Sequence, residues 1–157
     1  MGNNRGKILK NIDYAYKKAP EYKTVFPLIQ NILENPEENL AKFLGNSIEK
    51  VAEYLEIETY IIYSSSIEKN NKLKAQAKIL DICQQLKASQ YINAIGGQKL
   101  YNKKDFKKER IVLNFLETEE IAYLQYGNRF ISNLSIIDIM MFNSTKAIKN
   151  MLNKYNP

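Results

Sequence analysis

The chain has 157 residues, of which 45% are apolar and 25% are charged, and its formal net charge is +6. This length and balance predict one globular domain, and a single cysteine cannot form an internal disulfide. The absence of histidine excludes a Ser-His-Asp or Cys-His catalytic machine and a histidine-ligated metal. Neither a membrane-length apolar run nor the apolar centre of a signal peptide is present. We therefore expect a cytoplasmic protein without a transmembrane segment.

The basic side chains are spread along the sequence, with one local concentration between Lys99 and Arg110 that also contains Asp105 and Glu109. A single-strand nucleic-acid site combines basic side chains with an aromatic stacking platform, and no such interleaving is visible. We interpret this segment as a solvated loop and expect no nucleic-acid partner.

Apolar residues recur at helical spacing in six segments. Within the third segment, Asn39 is a suitable N-cap. An apolar stripe follows it and is predicted to face the core: Leu40, Leu44, Ile48, Val51 and Leu55. Cys83 lies among apolar positions of the fourth segment and is interpreted as a core residue. The predicted helices are 7–19, 21–34, 39–56, 72–87, 135–142 and about 145–155.

Four short runs of β-branched and aromatic residues predict strands at 59–63, 91–95, 110–116 and 121–126. The helix at 72–87 is expected to join the first two as a crossover, and Gly127-Asn128 is expected to turn the chain. The predicted fold class is α/β. We expect a small, mostly parallel sheet of three to four strands flanked by helices, with a helical N-terminal layer. One domain would span 1–157, with a helical part at about 7–56 and an α/β part at about 58–155.

The run from Tyr91 to Ile95 stops abruptly at Gly96 and Gly97. Ligands of open α/β sheets bind beyond the carboxyl ends of strands, and glycine backbone donors can approach an anion there. A plain turn is the alternative interpretation. Tyr91 and Asn93 share one face of the predicted strand because side chains alternate. These four residues, Tyr91, Asn93, Gly96 and Gly97, are therefore candidates for substrate binding.

Asp138 follows Ser135 by three residues at the start of a predicted helix. This spacing resembles a capping box, and the alternative is that Asp138 is a catalytic general base. Tyr123 and Gln125 would share a strand face. We hypothesise that Asn93, Gln125 and Asp138 converge on one crevice that holds a sugar. Gln125 and Ser135 are candidates for substrate binding, in addition to the residues around the glycine pair.

A series of short motifs runs through most of the chain in a fixed order. They are Asp13–Pro20, Lys78–Cys83, Tyr91–Gly97 with Tyr101 and Phe106, Ile111–Phe115, Tyr123 with Gln125, Asn133–Asp138 and Met141–Asn143. In order and spacing they resemble the WbqC-like family from about Lys10 onward. Members of that family usually begin with a further segment bearing a Gln-Pro-x-Tyr-x-Pro-type motif. We therefore expect a shortened member.

The resemblance implies a role in bacterial surface-polysaccharide (O-antigen or capsule) pathways. It is compatible with transfer of an acyl or aminoacyl group to a nucleotide-linked amino sugar, so a nucleotide sugar or an acyl donor is the expected ligand. The alternative is a non-catalytic sugar- or partner-binding module derived from such an enzyme. An oligomer, or a partner chain that supplies the further segment, also stays open. We predict no cofactor, because the sequence has neither a P-loop nor a dinucleotide-binding fingerprint.

Overall fold

The computed structural model describes residues 4–127 and 129–156. The helices are α1 Asn4–Tyr16, α2 Tyr22–Glu34, α3 Leu40–Tyr54, α4 Ala75–Gln85, α5 Lys103–Lys108, α6 Ile136–Phe142 and α7 Thr145–Leu152. The strands are β1 Gln90–Ala94, β2 Val112–Thr118 and β3 Tyr155–Asn156, and short 3-10 turns cover Ser64–Ser66 and Ile95–Leu100. The predicted α/β class, a small sheet with flanking helices, is confirmed. None of the described helices combines the length and the apolar composition needed to cross a bilayer.

The chain forms two compact units. The first unit contains the chain up to Ile61 together with Glu120–Asn153, so α6 and α7 cluster with the N-terminal helices. The second holds Ile62–Glu119 and the chain from Lys154 onward, which includes the sheet. The division into one domain with a helical and an α/β part stays a prediction.

The first unit has an all-helical core. Its most deeply buried side chains include Val25 of α2, Met140 and Met141 of α6, and Ile148 of α7. Side-chain caps fix where the helices begin. The predicted cap at Asn39 is confirmed, since its Oδ1 accepts a hydrogen bond from the Lys42 backbone N–H at 3.1 Å.

The apolar stripe of α3 differs from its prediction. Leu40, Leu44 and Ile48 are 69%, 49% and 58% exposed, whereas Leu55 is buried. The core contacts of this helix come from its C-terminal end, at Val51, Tyr54 and Leu55. The prediction that the whole stripe faces the core is therefore wrong for the first two turns of α3, because no element of this unit covers them in the described residues.

The sheet of the second unit is small and mixed. β1 and β2 pair in parallel from Gln90↔Val112 to Ala94↔Leu116, and β3 adds two antiparallel residues to the end of β2. Phe106, Ile111, Leu113 and Phe115 form the core of this unit with Cys83 of α4. Cys83 is therefore a core residue, and burial raises the pKa of its thiol.

Two predicted strands are wrong. Residues 59–63 and 121–126 have no β partner in the parts of the chain that the structure describes, and an unpaired strand leaves its backbone groups without hydrogen bonds. The predicted crossover at 72–87 is consequently wrong as well, because residues 59–63, which it was expected to join to β1, form no strand in the described structure. The two parallel strands that do pair, β1 and β2, are joined by the turn at Ile95–Leu100 and by α5. Helix α5 lies within the basic segment that was predicted to be a loop. Gly127 adopts φ +82 as a turn residue, and Asn128 lies outside the described residues.

Candidate functional site

The side chain of Asp138 is the centre of a polar cluster in the first unit. Asp138 is the one buried charged residue in the described chain, at 4% exposure. The Tyr16 hydroxyl donates to its Oδ1 at 3.0 Å. The Tyr123 hydroxyl and the Gln125 amide donate to its Oδ2 at 2.7 and 2.8 Å. We call these four residues the Asp138 cluster.

Three separate parts of the chain supply the Asp138 cluster. Tyr16 is the last residue of α1, Asp138 lies in the first turn of α6, and Tyr123 and Gln125 belong to the irregular segment before α6. The Gln125 side chain also bonds both backbone groups of Ile131, donating to its carbonyl at 3.1 Å and accepting from its N–H at 2.8 Å. The irregular segment has no β partner in the described residues, and these two side-chain hydrogen bonds hold it in place where a strand would use backbone hydrogen bonds.

Neutral donors surround the Asp138 carboxylate. Among the described residues no Lys or Arg nitrogen lies within 4.0 Å of it. Burial, followed by the hydrogen bond to Asp138, raises the pKa of Tyr16 and of Tyr123 to about 12. Both phenols therefore stay protonated at neutral pH and remain hydrogen-bond donors.

The capping-box interpretation of Ser135 and Asp138 is half right. Ser135 is the N-cap of α6, and its Oγ accepts from the Ile137 N–H at 3.3 Å. In the described structure the Asp138 side chain does not accept a hydrogen bond from the Ser135 backbone N–H. It accepts from Tyr16, Tyr123 and Gln125 instead. A capping box normally uses the longer Glu or Gln at this position, and the shorter Asp side chain is directed to other partners.

Contacts with nearby residues hold the segment that contains Gly96 and Gly97. Gly96 and Gly97 lie in a 3-10 turn, and neither has a positive φ, so the freedom of glycine to adopt a left-handed conformation is not used here. Gly97 is buried against Asn93, because a Cβ at this position would meet the Asn93 Nδ2 at 2.6 Å. Asn93 also accepts a hydrogen bond from the Ala94 N–H at 2.8 Å. Tyr91 stacks on Phe106 with ring centroids 5.6 Å apart.

The structure brings together only part of the hypothesised crevice. Gln125 and Asp138 are in direct contact, and the Tyr123 hydroxyl contacts both of them, although no strand forms at 121–126 in the described structure. Asn93 belongs to the second compact unit, so its convergence with them stays a prediction. Sequence reasoning missed Tyr16. The available signal is the segment Asp13–Pro20, which contains Tyr16 and is one of the motifs of the family resemblance.

Comparison with known proteins gives one result. The sequence model of the WbqC-like protein family matches residues 2–150 of the 157-residue chain. The chain belongs to the WbqC-like family. No curated protein and no solved structure matches it. The family resemblance predicted from the motifs is therefore confirmed.

The WbqC-like chain offers few other chemical groups in its described parts. No three or more acidic or thiol side chains are grouped there as metal ligands. Asp105 and the basic residues of α5 pair locally, since the Lys108 ammonium lies 2.9 Å from the Asp105 carboxylate. The Asp138 cluster is therefore the strongest candidate for a functional polar site.

Proposed function

We propose that this WbqC-like chain acts in the assembly of a bacterial surface polysaccharide (O-antigen or capsule). It binds a nucleotide-linked amino sugar and transfers an acyl-type group to the sugar's amine. The observation that carries the proposal is a buried carboxylate, Asp138, with no cationic partner within 4.0 Å in the described residues. A buried charge is costly unless it is paired, and the ammonium group of an amino sugar supplies the missing charge.

The hydrogen-bonding capacity of Asp138 supports this assignment. An ionised carboxylate has about four acceptor positions, and the Asp138 cluster fills three of them, one on Oδ1 and two on Oδ2. The remaining position on Oδ1 suits an N–H of the ligand. Tyr16, Tyr123 and Gln125 are only half-buried, and their hydroxyl and amide groups suit the hydroxyls of a sugar ring.

The chain also limits how the transfer can proceed. Because histidine is absent, a carboxylate is the available base, and in the proposed reaction Asp138 takes a proton from the sugar ammonium. The free amine then attacks the carbonyl carbon of an acyl thioester. The new C–N bond forms, the C–S bond breaks, the proton held by Asp138 passes to the departing thiolate, and the amide nitrogen releases its second proton to solvent.

A second candidate is a non-catalytic sugar-binding module. One observation favours it: every buried side-chain nitrogen and oxygen in the described residues already has a hydrogen-bond partner. The buried polar atoms of the Asp138 cluster thus each have at least one hydrogen-bond partner without a ligand. In this alternative the chain binds the sugar and does not turn it over.

The test is a thermal-shift measurement with nucleotide-linked amino sugars, nucleotide-linked neutral sugars and free nucleotides. A ligand that binds only the folded state raises Tm. We expect the amino sugar to raise Tm most, and the Gln125→Ala variant to lose that shift. Gln85→Ala is the matched control, because Gln85 is an exposed glutamine at the end of α4. Equal shifts in both variants, or no shift in the wild type, would contradict the proposal.

A transfer assay separates the two candidates. The chain is incubated with an acyl thioester and the nucleotide sugar that shifts Tm, and free thiol and amide product are measured. Product that requires the chain supports the transferase. A Tm shift without product supports the binding module.

A further inference from the structure

The first unit contains a groove that the Asp138 cluster does not use. It has a volume of about 440 Å³ and lies among residues of α1, α2, α3 and α6. Twelve of the fourteen lining residues are aliphatic or methionine, two are serines, and none is aromatic or charged. Its lining includes Ile8, Ile29, Ile48, Val51, Ile136 and Met140. The groove is open to solvent, since Ile48 and Ile136 are 58% and 39% exposed.

We propose that this groove binds a flexible aliphatic chain, namely the acyl chain of a soluble long-chain acyl thioester. Small-molecule sites have volumes of about 300–1,000 Å³ and carry few polar groups, and this groove fits both descriptions. Its lining offers aliphatic contacts throughout and no ring on which an aromatic ligand would stack. An alkyl chain needs nothing else, because its binding free energy comes from removal of apolar surface from water.

The volume sets the length of the chain. An engineered cavity of about 150 Å³ is filled by one benzene ring of six carbons. By that ratio a closed cavity with the groove volume of about 440 Å³ would hold roughly 18 carbons, which is an upper bound because one side of the groove is open.

One of the two serines in the lining belongs to the N-terminus of the helix that carries Asp138. Ser47 and Ser135 supply the hydroxyl groups in the lining, and Ser135 is also the N-cap of α6, one turn before Asp138. A thioester carbonyl beside Ser135 would therefore lie next to the helical turn that carries Asp138. This link to transfer rests on the proposed function, whereas binding of the acyl chain can be measured without the sugar.

The test is calorimetric titration of the full chain with acetyl-, octanoyl- and myristoyl-coenzyme A below their micelle concentrations. Each buried methylene contributes about 0.8 kcal/mol to the binding free energy, and about 1.4 kcal/mol corresponds to a tenfold change in affinity. We therefore expect roughly tenfold tighter binding for every two methylenes that the groove buries. Ile48→Asp places a charge in the groove and is expected to weaken myristoyl binding at least ~10-fold. Ile92→Asp is the matched control, because Ile92 is similarly exposed at 52% and lies in β1.

Three results would overturn the inference. The first is an affinity that does not depend on chain length or on the Ile48 substitution. The second is a concentration-dependent dimer that Ile48→Asp dissociates, without acyl binding, which would assign the groove to a second copy of the chain. The third is binding to anionic phospholipid vesicles but not to soluble acyl thioesters. Loss of acyl binding with a retained amino-sugar shift in Tm would defeat this inference alone, and the reverse pattern would defeat only the proposed function.

Discussion

At the scale of single residues, Asp138 joins the end of α1, the start of α6 and the irregular residues 121–127. Asp138→Asn keeps the shape of the side chain but places an NH₂ group opposite hydroxyl or amide donors. Hydrogen bonds to charged groups contribute about 1.5–3 kcal/mol each, so we expect unfolding in urea to show a loss of about 2–4 kcal/mol.

The matched control for this variant is Glu53→Gln, at an exposed residue paired with Lys50. Surface ion pairs contribute at most about 1 kcal/mol, so the expected change in the free energy of unfolding is smaller than that. Equal losses in the two variants would show that Asp138 has no special structural role.

The two phenols of the Asp138 cluster predict a dependence of stability on pH. In the unfolded chain a tyrosine loses its proton near its ordinary pKa of 10.0, whereas the pKa of Tyr16 and Tyr123 in the folded chain is about 12. Between these values the folded state binds more protons, so the free energy of unfolding falls as pH rises from about 10 to 12 and is unaffected below that window.

Urea unfolding measured across this pH window tests the prediction. Tyr123→Phe is expected to reduce the fall in stability, and Tyr60→Phe is expected to leave it unchanged, because Tyr60 is 86% exposed. Part of the fall remains in both variants, since burial also raises the pKa of Tyr91 to about 12. A curve for Tyr123→Phe that coincides with the wild-type curve would argue against the raised phenol pKa.

The glycine pair after β1 offers a prediction with a built-in control. A Cβ at Gly97 would meet the Asn93 side chain at 2.6 Å, whereas a Cβ at Gly96 has nothing within 4 Å. We expect Gly97→Ala to destabilise the chain by about 1–3 kcal/mol and Gly96→Ala to be neutral or stabilising by up to about 1 kcal/mol. Equal changes in the free energy of unfolding for the two variants would show that the close contact between Asn93 and Gly97 is not the reason for a glycine at this position.

At the scale of secondary-structure elements, the N-cap of α6 carries the next prediction. Ser135→Ala removes the acceptor for the Ile137 N–H and is expected to cost about 1 kcal/mol. Ser135→Asp restores an acceptor and should recover that loss in thermal or urea unfolding. Failure of Asp to recover it would mean that the Ser135 hydroxyl stabilises α6 in some way other than capping.

The helices could be predicted from the sequence because their signals are local. The cap at Asn39 and the N-cap at Ser135 both mark the first turn of a helix, and apolar spacing identifies the rest. The strands could not all be predicted, because a strand depends on a partner that is remote in sequence. Residues 59–63 and β1 have similar composition, yet only β1 finds a partner, at Val112–Leu116. β3 has two residues, too few for any periodicity.

At the scale of the whole molecule, the candidate site could be predicted only where residues are close in sequence. Tyr123, Gln125 and Asp138 lie within sixteen positions of one another and do meet. Tyr16 is 122 positions from Asp138, and no periodicity links residues so far apart. The uncovered stripe of α3 was unforeseeable for the same reason, since amphipathicity states which face is apolar and not what covers it.

Hydrogen–deuterium exchange with a nucleotide-linked amino sugar tests the central claim, that the Asp138 cluster holds this ligand, most directly. We predict that saturating ligand slows backbone exchange in residues 121–127 and 129–142, which carry Tyr123, Gln125 and Asp138, and at the end of α1. The Gln125→Ala variant should lose this protection. Protection confined to residues 90–100, around Asn93 and the glycine pair, or no protection with any nucleotide sugar, would contradict the account.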